Sequence, residues 1–393
     1  MKHNPKILSH PTACEQQWLY QIGEEGIVYS ERQNRIAGLD AAGVLAYQAF
    51  DAGASLHDLE GLSGTGQTSL ATIQALDTIF ALSKGRFPET QSNGEHIDWP
   101  TLSTPRNANI KVCDIPVLWE CPYESLETLS QDCFLSCPST SQPARFQLRV
   151  EESAQSSWAI LLNEQEVFSN VADEQIGLGL LHAVRSLLYD SAPYDVAFHA
   201  AMVADDEHGI MLCAPREFGK STLAAYLAAH GFTVVSDEPA LLNLDTATIA
   251  PVEMPISLKE GTWRILEKDW PRLLNAPVHV RSDGCRIKLL HTQQHCAVRV
   301  ARPLTHIVFP KYSSSSPARC EALSPMCGLA LLNEGGMLLG KQMNKDKFER
   351  FLEWICAAPA FIAQYSSLEQ AEEMLKSVLT IRGTQPINAP EVL

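Results

Sequence analysis

The stretch from His208 to Leu242, HGIMLCAPREFGKSTLAAYLAAHGFTVVSDEPALL, constrains the fold more than any other part of the chain. An apolar run, Ile210 to Cys213, reads as a strand. A loop follows it and ends in Gly219-Lys220-Ser221-Thr222, and Leu223 to Ala229 is a helix-forming run. Strand, loop and helix N-terminus in this order make an anion-binding element. The first turn of a helix carries unpaired N–H groups and the positive end of the helix dipole. Gly219 allows close backbone approach. Lys220 brings a point charge toward β- and γ-phosphates, and the Ser221 hydroxyl is the expected Mg²⁺ ligand. The loop, comprising Ala214, Pro215, Arg216, Glu217, Phe218, Gly219, Lys220, Ser221 and Thr222, is therefore expected to hold a phosphorylated nucleotide. It departs from G-x-x-x-x-G-K-[ST] at its first position, where Ala214 replaces glycine. Alanine tolerates positive φ poorly, so the start of the loop is expected to differ in shape.

A second signal lies downstream. Thr233 to Ser236 is a β-type run leading into Asp237-Glu238. A crossover of this length brings the next strand beside the first in a parallel sheet. Both carboxylates would then share an edge with the phosphate loop and face the γ-phosphate. Phosphoryl transfer needs a carboxylate to bind Mg²⁺ or to accept the nucleophile's proton. The alternative is a solvated acidic turn before Pro239. Upstream, Ala197 to Val203 is a further strand candidate containing His199, one hairpin (residues 204–209) away from the loop. A histidine inside a strand is usually a satisfied core residue; this one is close enough to point into the site.

Composition narrows the partners. The formal net charge of −16 makes the chain a poor candidate for sequence-independent nucleic-acid binding, which needs a cationic face, and it leaves room for a basic peptide partner. No apolar run approaches the ~18 residues of a membrane span. The N-terminus, MKHNPKILSHPTACEQQ, lacks the apolar core of a signal peptide. The eleven cysteines are odd in number and contain no C-x-x-C pair. Cys133 and Cys137, with Cys113 and Cys121 nearby, do not complete a zinc pattern, which points to a reducing cytoplasm with free thiols.

A chain of 393 residues has room for two or three domains. Residues 17–90 read as a small winged-helix-like unit. Its strands are expected near Trp18 to Tyr20, Gly26 to Tyr29 and Ile36 to Leu39. An Asp40-capped helix follows, Ala41 to Phe50, with further helices from Ser55 and at about Ser69 to Leu82. Residues 85–107 read as a linker. Strands are expected at Ile110 to Val112, Phe146 to Val150, Trp158 to Leu162 and Leu304 to Phe309, and helices at Glu174 to Leu188 and Leu368 to Leu379. The fold class is α/β, α+β overall, with a cut near residue 95. Residues 96–195 form a strand-rich lead-in and 196–393 the core.

The series F-H-A-A-M-V, G-K-S-T-L-A-A-Y-L, G-F-T-V-V-S-D-E and P-I-S-L-K resembles the HPr kinase/phosphorylase superfamily, especially the HPr-kinase-related proteins associated with peptide modification. T-H-I-V-F-P-K-Y, A-L-S-P and Y-S-S-L-E-Q-A add to the likeness, which covers roughly residues 105–385. The resemblance implies a phosphoenolpyruvate-carboxykinase-like nucleotide fold, with ATP and Mg²⁺ bound at residues 214–222. It implies that His199 lies near the transferred phosphate and that Asp237 acts as general base. Glu238 would stand at the Mg²⁺-side position, and Lys259 near phosphate or substrate. Residues 286–291 match the family only loosely. The C-terminal Glu-x-Arg-Gly signature of the classical kinases is not recognisable, which argues against phosphorolysis. The first unit, through N-R-I-A-G-L-D-A-A-G-V-L-A-Y-Q-A-F-D-A-G-A-S-L-H-D-L, resembles PqqD-like modules. In these a leader peptide adds a strand in a groove between the third strand and a helix.

Together these features predict an ATP-dependent kinase acting on a side chain of a precursor peptide or protein, cytoplasmic, with oligomeric state left open. Two alternatives stay open beside it. One is a small-molecule kinase on the same fold. The other is a nucleotide-regulated ATPase or peptide chaperone, in which Asp237 holds Mg²⁺ and Glu238 polarises water.

Overall fold

A computed structural model describes residues 7–12, 16–52, 107–153, 157–214, 218–292, 300–315 and 317–379. The helices expected at 55–62 and 69–82, the linker up to residue 106, and loop residues Pro215, Arg216 and Glu217 lie outside the described residues. In chain order the first strands are β1 (Ile7–Pro11), β2 (Gln17–Ile22), β3 (Glu25–Ser30) and β4 (Arg35–Leu39), followed by helix α1 (Ala41–Asp51). Next come β5 (Asn107–Val112), β6 (Ile115–Glu120), α2 (Glu127–Asp132), β7 (Phe146–Ser153), β8 (Ser157–Leu162), β9 (Gln165–Val171) and α3 (Ile176–Ser191). Then follow β10 (Val196–Phe198), β11 (Ala200–Ala204), β12 (Gly209–Cys213), α4 (Lys220–Ala229), β13 (Thr233–Ser236), β14 (Ala240–Asn243), β15 (Thr248–Ala250) and β16 (Ile256–Lys259). The chain continues with α5 (Glu260–Leu266), β17 (His279–Val280), β18 (Arg286–Leu290), β19 (Arg302–Pro303), β20 (His306–Tyr312) and β21 (Arg319–Ala322). It closes with α6 (Pro325–Glu334), β22 (Met337–Leu339), α7 (Lys345–Ala357), β23 (Ala360–Tyr365) and α8 (Leu368–Leu379).

The chain divides into two compact units, mixed α and β in character. One comprises Met1–Thr101, Pro325–Ala330 and Leu339–Ala357; the other comprises Leu102–Ser324, Leu331–Leu338 and Ala358–Leu393. Where the sequence suggests one cut near residue 95, the units exchange two C-terminal segments.

The first unit is built on the antiparallel meander β1-β2-β3-β4. The Asp40 carboxylate accepts from Gly43 N–H at 2.7 Å, the expected cap of α1. Side chains alternate between the faces of a strand, and here both faces are covered. Leu19, Val28, Ala37 and Leu39 form one cluster with Val44 and Tyr47 of α1. Tyr20 and Tyr29 instead take Phe348 of α7, whose ring stacks on Tyr29 at 4.1 Å between centroids. This accounts for the unbroken burial of β3 from Gly26 to Ser30. Asn34 fastens the segment before α7 by donating to the carbonyls of Leu339 and Gly340.

The second unit holds the other sheets. The sheet β5-β6-β7-β8-β9 packs its apolar face on α3, with Leu148, Val150 and Ile160 meeting Leu180, Val184 and Leu187 in one core cluster. The central sheet has the order β13-β11-β12-β20-β23-β21. Strand β12, Gly-Ile-Met-Leu-Cys, is buried throughout, as befits a strand flanked on both sides. It runs parallel to β20, which runs parallel to β23. Helix α4 is apolar around most of its surface because its residues share a core with β11, β12, β16, α5 and α8.

Two expectations are corrected. Strand β13 does not lie beside β12. The tight hairpin at residues 205–208 folds β11 back against β12, so β11 takes that slot and β13 pairs with β11 instead. Both pairings are antiparallel, so β13 still points the same way as β12 and its acidic end reaches the same edge. The strand candidate from Ala197 to Val203 is also broken. The chain bends at His199 and passes from β10 in one sheet to β11 in another.

Candidate functional site

The parallel strands β12, β20 and β23 end at one edge, at Cys213, Tyr312 and Tyr365, the usual ligand-binding side of such a sheet. Gly219 sits there with φ of 87°, in the left-handed region, and is the N-cap of α4. A Cβ at this position would stand 3.5 Å from the Tyr365 hydroxyl. Ala214 is not among the described residues with positive φ, so the replaced glycine strains nothing there. Its carbonyl accepts a hydrogen bond from Lys220 Nζ at 2.9 Å, which holds the buried lysine across the loop. Phe218 is exposed, and Thr222 follows Ser221 as a half-buried residue of the first helical turn.

Asp237 follows the end of β13 and is only 6% exposed, which excludes the solvated-turn alternative. Its Oδ2 accepts from Ser221 Oγ at 3.2 Å and from Ser257 N–H at 3.4 Å. Its Oδ1 is buried with no hydrogen-bond partner among the described residues, as are the hydroxyls of Ser236 and Ser257. Burial, and then the neighbouring Glu238 charge, push the Asp237 carboxyl above its ordinary range. The unpartnered Oδ1 of Asp237, whose other oxygen meets Ser221, suits a hard cation. Mg²⁺ is commonly held by one or two carboxylates plus phosphate and water, and Ser221 and Asp237 fit that donor set. Among the described residues no group of three or more His, Cys, Asp or Glu side chains could hold a metal. An ion here would therefore draw its remaining ligands from phosphate and water.

Glu238 has a different environment. Its Oε1 lies 2.7 Å from His199 Nδ1. Burial pushes its carboxyl upward, but the His199 hydrogen bond and the charges of Arg185, His199 and Lys220 outweigh this and hold it at about 2. His199 is placed by the bend between β10 and β11, where its own N–H donates to the Gly336 carbonyl at 2.9 Å. With Nδ1 engaged, Nε2 is the ring nitrogen left for a ligand. His199 lines a cleft of about 480 Å³ with Tyr189, Glu334 and residues 335–338.

The structure thus brings Ala214, Gly219, Lys220, Ser221, Asp237, Glu238 and His199 to one edge. Lys259 ends β16 and stands at the N-cap position of α5, and the part of β16 that meets Asp237 is Ser257. Sequence reasoning missed Arg185, whose buried Nε has no partner among the described residues and whose charge acts on both Asp237 and Glu238. It also missed Tyr189, one turn along α3, and the turn at Gly335-Gly336. A Gly-Gly pair closing a helical run was the available signal for that turn.

Among the described residues every cysteine is a free thiol. Burial pushes Cys213, beside the loop, up to about 11, so it has the character of a packing residue rather than a nucleophile. No described helix is long and apolar enough to cross a membrane. No protein-family model matches the chain, and no curated protein matches it.

Proposed function

We propose that this chain is an ATP-dependent kinase that transfers the γ-phosphoryl group to a side-chain hydroxyl of a peptide or protein. The observation that carries the reading is the convergence of Lys220, the Ser221–Asp237 pair and the Glu238–His199 pair on one strand-end edge. Lys220 neutralises charge on the β- and γ-phosphates, and the α4 N-terminus offers its N–H groups to them. Mg²⁺ bound at Ser221 and Asp237 would supply further charge neutralisation to the same oxygens.

The contacts support exchanging the roles that the family resemblance implies. Asp237 shares a hydrogen bond with Ser221 and stands on the metal side. Glu238 orients His199 through Nδ1, so that Nε2 accepts the acceptor's proton. As that O–H bond breaks, the acceptor oxygen bonds to the γ-phosphorus. The bond from that phosphorus to its bridging oxygen breaks, and ADP leaves with the electron pair. A peptide acceptor is supported by the first unit. Among the described residues its strand β4 pairs only with β3, leaving an edge that a leader could extend.

The same pairs suit water as nucleophile, which would make the chain an ATPase. One assay separates the readings: the full-length chain with Mg²⁺, γ-labelled ATP and a pool of Ser/Thr peptides. Label in peptide, falling about 10²–10⁴-fold in His199→Ala, supports the kinase. Label only in inorganic phosphate supports hydrolysis. No turnover and no bound ATP contradicts both.

A further inference from the structure

The cleft beside His199 is the natural place for whatever receives the phosphate, and its walls say what that acceptor carries. Tyr189 enters from α3, four residues after Arg185. The opposite wall is the end of α6 and the turn into β22. That wall is held close by its glycines. Gly336 has φ of 101°, and a Cβ there would come within 3.1 Å of His199 Cβ. A Cβ on Gly335 would come within 2.9 Å of Cys213 Sγ. The turn is therefore fitted both to the catalytic histidine and to the strand that leads into the phosphate loop.

Among the described residues the cleft is lined by one carboxylate, Glu334, beside the His199 imidazole. Glu334 is exposed, and no hydrogen bond or ion pair engages it among the described residues. Among the described residues neither lysine nor arginine lines this space. Lys220 and Arg185 act on Glu238, behind His199. An acceptor bearing its own carboxylate or phosphate would meet Glu334 with no cation among the described lining residues to offset it. A cationic acceptor would find in Glu334 a carboxylate with no competing partner. The apolar part of the wall, Met337 and the half-exposed Leu338, suits an aliphatic stem.

We propose that this cleft is the acceptor site and that Glu334 selects a hydroxyl with a positive charge beside it. This rests on the kinase reading above. The chemistry is met by a Ser or Thr flanked by Lys or Arg, or by a free amino alcohol. In either case Glu334 takes the ammonium or guanidinium, and the hydroxyl is left facing His199 Nε2. Glu334 is a specificity residue in this account, and the proton is handled by His199.

The test uses the full-length chain with Mg²⁺ and a non-hydrolysable ATP analogue. Binding of two labelled hexapeptides is measured by fluorescence anisotropy, one with Ser flanked by Lys and its twin flanked by Glu. Ethanolamine serves as an unlabelled competitor, and binding of a fluorescent ATP is measured on the same samples. The wild type should prefer the Lys-flanked peptide by about tenfold or more, the scale of one well-placed charge pair. Glu334→Gln should level the preference and Glu334→Lys should reverse it. Displacement by millimolar ethanolamine assigns the site to a small amino alcohol, and its failure assigns the site to a peptide. An unchanged preference in Glu334→Lys, or ATP binding with no peptide discrimination, overturns the inference and leaves the kinase reading standing. Discrimination with no ATP binding overturns the kinase reading and leaves the cation-selective cleft.

Discussion

Asp237 and Glu238 are neighbours in sequence and opposites in environment. Glu238 is held at about 2, below its unfolded value, by His199 and by surrounding positive charge. Ionised Glu238 therefore stabilises the fold at neutral pH, and that contribution is lost as pH falls from about 4.5 toward about 2. Glu238→Gln should flatten the acid limb of stability across this window, as read by denaturant melts at a series of acidic pH values. Asp237 has the opposite sign. Its folded value is raised, so its contribution is present below the unfolded value and is lost as pH rises through the folded one. At neutral pH its charge costs stability. Asp237→Asn should raise Tm while turnover collapses. Differential scanning calorimetry beside the transfer assay checks both halves. The sequence made this acidic pair visible but not its division of labour. Which carboxylate meets Ser221 and which meets His199 depends on a bend at His199 and on Arg185, and neither leaves a mark in local pattern.

Elements whose signal is local were readable. Helix α8 was expected at Leu368 to Leu379 and is found there. The Asp40 cap starts α1 as its side chain requires. Elements defined by their partners were not readable. Strand β1 is mostly exposed and carries no apolar alternation, so nothing in its residues announced a strand. In α7 the residues Phe348, Phe351, Leu352 and Ile355 are buried on one face. Periodicity of that kind defines a face, but not the sheet that the face covers. The informative clue was Gly26 to Tyr29, too uniformly apolar for a strand wet on one side. If Phe348 closes that second face, Phe348→Ala should cost about 3–5 kcal/mol. Hydrogen exchange should then quicken in β2 and β3 well before it does in β12.

On the scale of the whole molecule, the first unit is not a detachable N-terminal appendage, because α7 belongs to it. Removing residues 1–95 strips Tyr20 and Tyr29 from Phe348. It leaves an apolar helix face without its cover. The shortened chain should aggregate or bind hydrophobic dye, as seen by size-exclusion chromatography, whereas Tyr29→Phe in the full chain should not. Loss of turnover in such a truncation would therefore not show that the acceptor is a peptide. The central claim is narrower and can be tested without knowing the acceptor: one edge of the central sheet binds a nucleotide through Lys220 and its metal through Ser221 and Asp237. The measurement is calorimetric titration of ATP, with and without Mg²⁺, into the wild type, Lys220→Ala and Asp237→Ala. Lys220→Ala should abolish binding in both conditions, and Asp237→Ala should abolish only the gain that Mg²⁺ gives. Binding that survives Lys220→Ala, or a gain from Mg²⁺ that survives Asp237→Ala, would contradict that claim.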